Sequence, residues 1–255
     1  MEFKVLGCHG GETPNHRPPA FAIDGRAVID AGSLTSVLTL EEQQKIEFVL
    51  ISHAHVDHVR DLALIADTRA QMGGPPLTVA STKGTISALK RHMFNQKLWP
   101  DFTNIPSRQN PTVVFKAIRP DVTTKLSRFF VTPIEVNHTV EAVGFIVSDG
   151  RSSVVYSGDT GPTERLWQIV EHRDDISALV MEVAFPNRRR KLAIASGHHT
   201  PKLLEKGLRM LGNKRDLPVL LFHIKPVFQR EVERDLLRIK GRNLTLLQLG
   251  DQFLL

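Results

Sequence analysis

The chain has 255 residues, of which 41% are hydrophobic and 24% are charged, so it can bury a substantial core in one domain and is not a disordered chain. No apolar run reaches the roughly 18–20 residues that span a bilayer, the amino terminus lacks the apolar region of a signal peptide, and the single Cys8 excludes an intrachain disulfide framework. The formal charge of +6 weakly favours an anionic substrate, whereas 6% aromatic residues argue against a stacking surface for long single-stranded nucleic acid. We therefore expect a cytoplasmic protein without a membrane anchor.

The first half of the chain predicts mainly short strands. An Asp24-Gly25 pair indicates a hairpin turn between two of them, and a helical turn with a linker is expected over 33–45. Helices are predicted at 61–71 and 82–94. The predicted strands lie at 2–7, 20–24, 26–30, 48–51, 77–80, 112–118, 129–136, 143–148 and 152–157.

The second half alternates helices with strands. Strands are predicted at 176–183 and 219–222, and helices at 163–171, 202–211 and 227–239. Meandering strands followed by such alternation fit a layered α/β arrangement. No repeat or domain linker interrupts the chain, so residues 1–255 are expected to form one domain.

Metal-binding residue types cluster directly after the apolar strand at 48–51. Three histidines and an aspartate occur within six residues: His53, His55, Asp57 and His58. Imidazole nitrogen and carboxylate oxygen are preferred ligands of borderline divalent metals. Because the adjacent Asp57 and His58 cannot easily share one small coordination sphere with the other two, the spacing suggests two neighbouring metals.

Three more residues of the same types follow apolar strands. His138 comes after Ile134-Glu135-Val136-Asn137, Asp159 after the strand at 152–157, and His223 after the strand at 219–222. Strand ends at one edge of a fold can converge although they are distant in sequence. Each residue alone would more often be a buried, satisfied polar group. Together with the first cluster, metal ligation becomes the favoured interpretation for all three.

The cluster His53-Ala54-His55-Val56-Asp57-His58 resembles the H-x-H-x-D-H motif of the metallo-β-lactamase-fold hydrolases. The resemblance implies an αββα sandwich with two divalent metals at one edge, zinc being favoured and manganese or iron remaining open. It assigns one metal to His53, His55 and His138, and the other to Asp57, His58 and His223. Asp159 would bridge them, and Asp57 would also take part in catalysis.

Two further stretches resemble the phosphodiesterase branch of that superfamily. They are Met181-Glu182-Val183-Ala184-Phe185-Pro186-Asn187 and Gly197-His198-His199-Thr200-Pro201. In ribonuclease Z and its relatives the corresponding glutamate orients a histidine that protonates the leaving alkoxide. Carried over, Glu182 orients His198, although His198 and Thr200 could instead belong to the cap of the helix near Pro201. His199 places a second imidazole beside the expected acid.

Within this branch the chain resembles class II cyclic-nucleotide phosphodiesterases. The shared features include the F-P-N after Glu182 and His223-Ile224-Lys225-Pro226. The resemblance implies hydrolysis of a 3′,5′-cyclic nucleotide, with cAMP or cGMP as substrate, to the 5′-monophosphate by a metal-bridging hydroxide. Base recognition is expected at Asn95, Trp99 and Phe102, which could equally be packing residues, and substrate contacts are expected at Asn187 and Thr200.

Two other functions remain as alternatives. A ribonuclease Z-type endoribonuclease is disfavoured because His138, Asp159 and Glu182 follow one another too closely for the long insertion that grips transfer RNA. A non-catalytic di-iron electron carrier or sensor would have little use for a Glu182–His198 acid unit. A homodimer is left open, as is the role of the basic run from Arg188 to Lys191.

Overall fold

Fourteen short strands build two seven-stranded sheets, and the strands in the middle of each sheet are the most deeply buried. The computed structural model describes residues 1–255. Numbered in chain order, the first sheet contains β1 (Glu2–Gly7), β2 (Ala20–Ile23), β3 (Ala27–Ile29), β4 (Phe48–Leu50), β5 (Leu77–Ser81), β6 (Val113–Ala117) and β14 (Gln252–Leu254). The second contains β7 (Thr124–Leu126), β8 (Phe129–Glu135), β9 (Val143–Ser148), β10 (Ser153–Tyr156), β11 (Ile176–Glu182), β12 (Val219–Phe222) and β13 (Leu244–Leu246).

The strand order is β14-β1-β2-β3-β4-β5-β6 in the first sheet and β13-β12-β11-β10-β9-β8-β7 in the second. Strands β3, β4, β5 and β6 are mutually parallel, as are β10 to β13. Strand β8 is antiparallel to β9, which is antiparallel to β10, so β8 runs in the same direction as β10. The carboxyl ends of β8, β10, β11 and β12 therefore meet at one edge, where α/β folds place their sites.

Side-chain alternation along the strands assigns each residue to a layer. In β4, Phe48 and Leu50 point into the cluster between the sheets, whereas Val49 packs on the outer face. Aromatic rings from both sheets, including Phe21, Tyr156 and Phe222, meet in that central cluster.

Helices cover both outer faces of the sandwich. They are α1 (Leu40–Lys45), α2 (Val56–Met72), α3 (Lys83–His92), α4 (Glu164–Glu171), α5 (Arg190–Ala195), α6 (Pro201–Leu208) and α7 (Gln229–Leu236). Apolar residues of α2 and α3 pack against the first sheet, and those of α4, α6 and α7 pack against the second. The predicted αββα sandwich is confirmed. No helix has both the length and the apolar character needed to cross a membrane.

The structure corrects several predicted boundaries. Helix α2 begins at Val56 rather than at residue 61, so Asp57 and His58 lie in a first helical turn and not in a loop. Strands β7, β13 and β14 and helix α5 were not predicted. The Asp24-Gly25 hairpin is confirmed, with φ of 49° and 61° at the two residues, as a type I′ turn requires.

Candidate dinuclear metal centre

Seven imidazole and carboxylate side chains converge at the edge where strands end. The first two, His53 and His55, follow β4, and the next two lie in the first turn of α2. The remaining three follow β8, β10 and β12. The seven residues are His53, His55, Asp57, His58, His138, Asp159 and His223, which is the complete set suggested by the sequence.

The first group consists of three histidines. The Nδ1 of His55 lies 3.1 Å from Nε2 of His53 and 3.2 Å from Nε2 of His138. His53 is fully buried, whereas His55 and His138 are half-buried. Three imidazole nitrogens thus converge on one point that remains accessible from solvent.

The second group contains two histidines and an aspartate. The Nε2 atoms of His58 and His223 are 3.4 Å apart, and Oδ2 of Asp57 lies 3.4 Å from Nε2 of His223. Both histidines are buried, while the Asp57 side chain is 33% exposed. This group opens to solvent on the Asp57 side.

Asp159 lies between the two groups. Its Oδ2 is 3.2 Å from Nε2 of His223, 3.3 Å from Nε2 of His58 and 3.8 Å from Nε2 of His53. Its Oδ1 is buried and has no hydrogen-bond partner. An unpartnered carboxylate oxygen is costly in the interior, and a cation would satisfy it.

The donor set and its spacing fit divalent metal ions. Nitrogen ligands about 2.0–2.1 Å from a tetrahedral zinc lie about 3.3–3.4 Å apart, close to the observed nitrogen–nitrogen distances of 3.1–3.4 Å. Burial lowers the pKa of His53, which favours the neutral imidazole that binds metal. Burial would also lower the pKa of His58, but the nearby Asp159 and Asp30 carboxylates outweigh it and raise that pKa. A bound cation would replace this proton.

A buried aspartate supports His58 from behind and was missed in the sequence. Asp30 Oδ2 lies 2.7 Å from His58 Nδ1, and the carboxylate accepts hydrogen bonds from the Ser52 amide and hydroxyl and from the Tyr156 hydroxyl. Such a partner fixes which ring nitrogen faces a metal. The signal was available, because Asp30 directly follows strand β3, just as other site residues follow their strands.

The glycine-rich loop after β1 holds His223 in place. His223 has a φ of 69°, an uncommon conformation for a residue with a side chain. Its amide donates to the carbonyl of Cys8, and the Gly10 amide donates to the carbonyl of Ile224. A Cβ at Gly10 would lie 2.5 Å from the His223 carbonyl oxygen and 2.9 Å from Nδ1. Only glycine allows this close approach.

Glu182 and His198 form a buried pair beside the seven residues. The Nδ1–H of His198 donates to Oε1 of Glu182 at 3.2 Å, and the same oxygen accepts from the amides of Thr160 and His199. The His198 ring stacks on that of His223, with centroids 5.3 Å apart. One ring nitrogen of His198 also lies within 4.8 Å of ligand atoms of Asp159 and His223.

His199 is oriented away from the cluster of metal-binding residues. Its Nδ1–H donates to the carbonyl of Thr160 at 2.7 Å, and the ring is 1% exposed. Burial lowers its pKa to about 4. The second imidazole therefore packs as a neutral core residue and does not compete with His198.

The three residues predicted to recognise the base have packing roles. Phe102 is only 3% exposed and belongs to an apolar cluster on the first sheet. The indole nitrogen of Trp99 donates to the carbonyl of Ala63 in α2, and the Asn95 amide group bonds to Arg91, Lys97 and Leu98 within its own turn. These local partners hold the three side chains in place, and base recognition at them stays a prediction.

Asn187 and Thr200 likewise have local partners. The Thr200 hydroxyl accepts from the Leu203 amide and caps α6, which is the capping alternative of the sequence. The Asn187 side-chain oxygen accepts from the Lys202 amide in the first turn of the same helix. These bonds orient the segment that carries His198, and direct substrate contact at Asn187 and Thr200 stays a prediction.

Comparisons with known proteins agree with this geometry. The sequence pattern of the "Beta-lactamase superfamily domain" matches residues 27–224. The chain therefore belongs to the β-lactamase superfamily. It is a metal-dependent hydrolase of the metallo-β-lactamase fold, as the H-x-H-x-D-H motif predicted.

Several relatives are named as cyclic-nucleotide phosphodiesterases, which confirms the predicted resemblance. A probable enzyme of that name from Yersinia pestis is 27% identical over 74% of this chain and 60% of its own length. One from Aliivibrio fischeri is 26% identical over 87% of this chain and 80% of its own length. The unliganded yeast PDE1 structure superposes with a TM-score of 0.82 at 18% identity, covering 100% of this chain and 99% of that one. Ribonuclease Z from Bacillus subtilis is 24% identical over 82% of this chain and 81% of its own length.

Proposed function

We propose that the protein is a phosphodiesterase that binds two divalent metal ions and hydrolyses 3′,5′-cyclic nucleotides to 5′-monophosphates. The proposal is based mainly on the buried Glu182–His198 pair, which stacks directly on the centre through His223. A di-metal carrier or sensor has no need for a proton donor at this position. An enzyme that expels an alkoxide does need one.

The donor set fits two ions, one held by His53, His55 and His138 and the other by Asp57, His58 and His223, with Asp159 shared. When bound, the ions supply an activated water and stabilise charge on the phosphoryl oxygens. Zinc fits the imidazole and carboxylate donors best, and manganese and iron are the alternatives to test.

The chain's own residues handle the leaving group. Glu182 accepts from Nδ1 of His198 and so orients the ring, whose Nε2–H can protonate the departing 3′ oxygen. Burial lowers the pKa of His198 and the negative charge of Asp159 opposes that shift, so the proton is not held too tightly to be released. The carbonyl of Gly197 accepts from Nδ1 of His138, which connects the loop carrying the acid to the first group of histidines.

A cyclic nucleotide is favoured over transfer RNA by the segment between His138 and Glu182. Strands β9 and β10, helix α4 and strand β11 occupy this segment. The long insertion that grips RNA in ribonuclease Z-type enzymes has no counterpart there. The relatives named as cyclic-nucleotide phosphodiesterases support the same choice.

A hydrolysis panel tests the proposal. Protein loaded separately with zinc, manganese and iron is incubated with cAMP, cGMP, cyclic dinucleotides, 2′,3′-cyclic nucleotides and precursor transfer RNA, and products are separated by chromatography. We expect 5′-monophosphates from cAMP or cGMP. Turnover of precursor transfer RNA without activity on any cyclic nucleotide would favour the ribonuclease.

A further inference from the structure

Lys225 is a half-buried cation without an acidic partner near the candidate centre. No carboxylate lies within 4.0 Å of its ammonium group, and no hydrogen bond is made by Nζ. By contrast, Arg188 on the neighbouring segment forms a two-pronged ion pair with Glu231. Partial burial of an unpaired ammonium is unfavourable unless an anion can bind it.

Lys225 lies on the side of the site that carries His198, the proposed general acid. It follows His223 by two residues, and its amide donates to the carbonyl of Ala184. Its Nζ lies 5.4 Å from the centroid of the Phe185 ring, a cation–π contact. The Phe185 ring in turn lies 5.7 Å from that of His198. The Phe185 ring is therefore a neighbour of both the ammonium and the imidazole, which places Lys225 near His198.

The ring shared by Lys225 and His198 also affects how strongly the ammonium charge acts. Phe185 is 4% exposed, so the ring provides a low-dielectric wall next to the ammonium. A charge held against such a wall acts more strongly on a nearby anion than one on an open surface.

We propose that Lys225 binds the anionic phosphoryl group of the substrate, and of the monophosphate product, on the side of the centre that carries His198. The inference extends the proposed function by naming the protein group that selects anionic phosphate compounds. Lys225 would hold a non-bridging oxygen, whereas His198 serves the leaving oxygen. The two residues therefore have different kinetic signatures.

The test measures phosphate binding, so that it does not depend on cyclic-nucleotide turnover. Inorganic phosphate is titrated calorimetrically into metal-loaded wild type, Lys225→Met and Lys225→Arg, with metal content measured in each. We expect Lys225→Met to bind phosphate at least about 10-fold more weakly, Lys225→Arg to stay within about threefold of wild type, and metal content to be unchanged. Added potassium chloride should weaken phosphate binding more in wild type than in Lys225→Met.

Lys125→Met is the matched control. Lys125 Nζ also lies over a phenylalanine ring, 5.9 Å from the centroid of Phe130. Lys125 is on β7, however, an edge strand of the second sheet that is far from β12, the strand preceding Lys225. This variant should bind phosphate like wild type. Wild-type phosphate affinity in Lys225→Met, or loss of metal from it, would overturn the inference. Failure of the substrate panel with the Lys225 effect intact would refute only the proposed cyclic-nucleotide activity.

Discussion

Two adjacent histidines have opposite orientations beside the metal-binding residues, and the difference decides which one can act as an acid. His198 bonds to a buried carboxylate and stacks on His223, whereas His199 bonds to the carbonyl of Thr160. Both residues lie in one sequence motif, and the sequence alone does not show where either imidazole ring points. Both residues lie in the turn before α6, whose N-cap is Thr200, and the backbone of this turn directs the two rings apart.

Replacing His198 with alanine should slow hydrolysis of a cyclic nucleotide by roughly 10²–10⁴, because a positioned proton donor is lost. A nitrophenyl phosphodiester, whose leaving group needs little protonation, should lose much less. Steady-state kinetics on both substrates and elemental analysis of the variant provide the measurement. A variant that loses one metal equivalent would identify His198 as a ligand instead of an acid.

His199→Gln is the partner variant for His198→Ala. Glutamine retains a group that can donate to Thr160, so catalysis should change only modestly. A severe kinetic defect in His199→Gln, together with a mild one in His198→Ala, would exchange the two assigned roles.

His199 also predicts a specific pH dependence of stability. Its pKa is lowered by burial to about 4, from an ordinary value of 6.5, so the unfolded chain takes up the proton first as the pH falls. Its contribution is therefore complete above pH 6.5 and is lost as the pH falls towards 4, by about 3 kcal/mol in total. Urea unfolding of metal-free wild type and His199→Gln across this range should show a shallower pH slope in the variant. Equal slopes would contradict a buried neutral imidazole.

Helices α4 and α6 are in contact through a residue without a side chain. Gly207 lies against the indole of Trp167, and a Cβ there would be 2.1 Å from Cε2. Trp167 is 1% exposed and cannot move outward without opening the apolar layer between these helices and the second sheet. The close approach fixes how α6, and therefore the capped turn carrying His198, rests on the sheet.

Gly207→Ala should reduce the free energy of unfolding by about 1–3 kcal/mol, because the added methyl overpacks the interface despite the better helix propensity of alanine. Its exposed neighbour provides the control, and Lys206→Ala should stay within about 0.5 kcal/mol of wild type. Chemical denaturation followed by tryptophan fluorescence measures both. A Gly207→Ala protein as stable as wild type would show that the interface between α4 and α6 accommodates the added methyl group without cost.

The elements next to the site were predictable because their apolar runs are continuous. Strands β4, β10 and β12 are fully buried and read as strands in isolation. Strands β13 and β14 have three residues each, half-buried or exposed, and β14 forms by pairing with β1 at the other end of the chain. Such long-range pairing leaves no local pattern. The early start of α2 was missed because Val56 and Val59 favour strands and His55 makes no side-chain cap.

At the level of the whole molecule, the fold was predictable from one motif, whereas the substrate was not. Related folds support many reactions, so substrate choice depends on side chains outside the ligand set. The sequence also does not separate base-binding from packing roles for aromatic residues near a helix end, and Phe102 packs in an apolar cluster. Asp30 follows a strand as other site residues do, but its contact with His58, 28 residues away, is visible only in the folded chain.

The most direct test of the central claim is a metal titration of the metal-free protein, with cyclic-nucleotide hydrolysis as the readout. Seven candidate ligands in two groups that share Asp159 predict that activity rises with added metal and saturates at two equivalents per chain. Saturation at one equivalent, or no hydrolysis of cAMP or cGMP at any zinc, manganese or iron loading, would contradict a dinuclear cyclic-nucleotide phosphodiesterase.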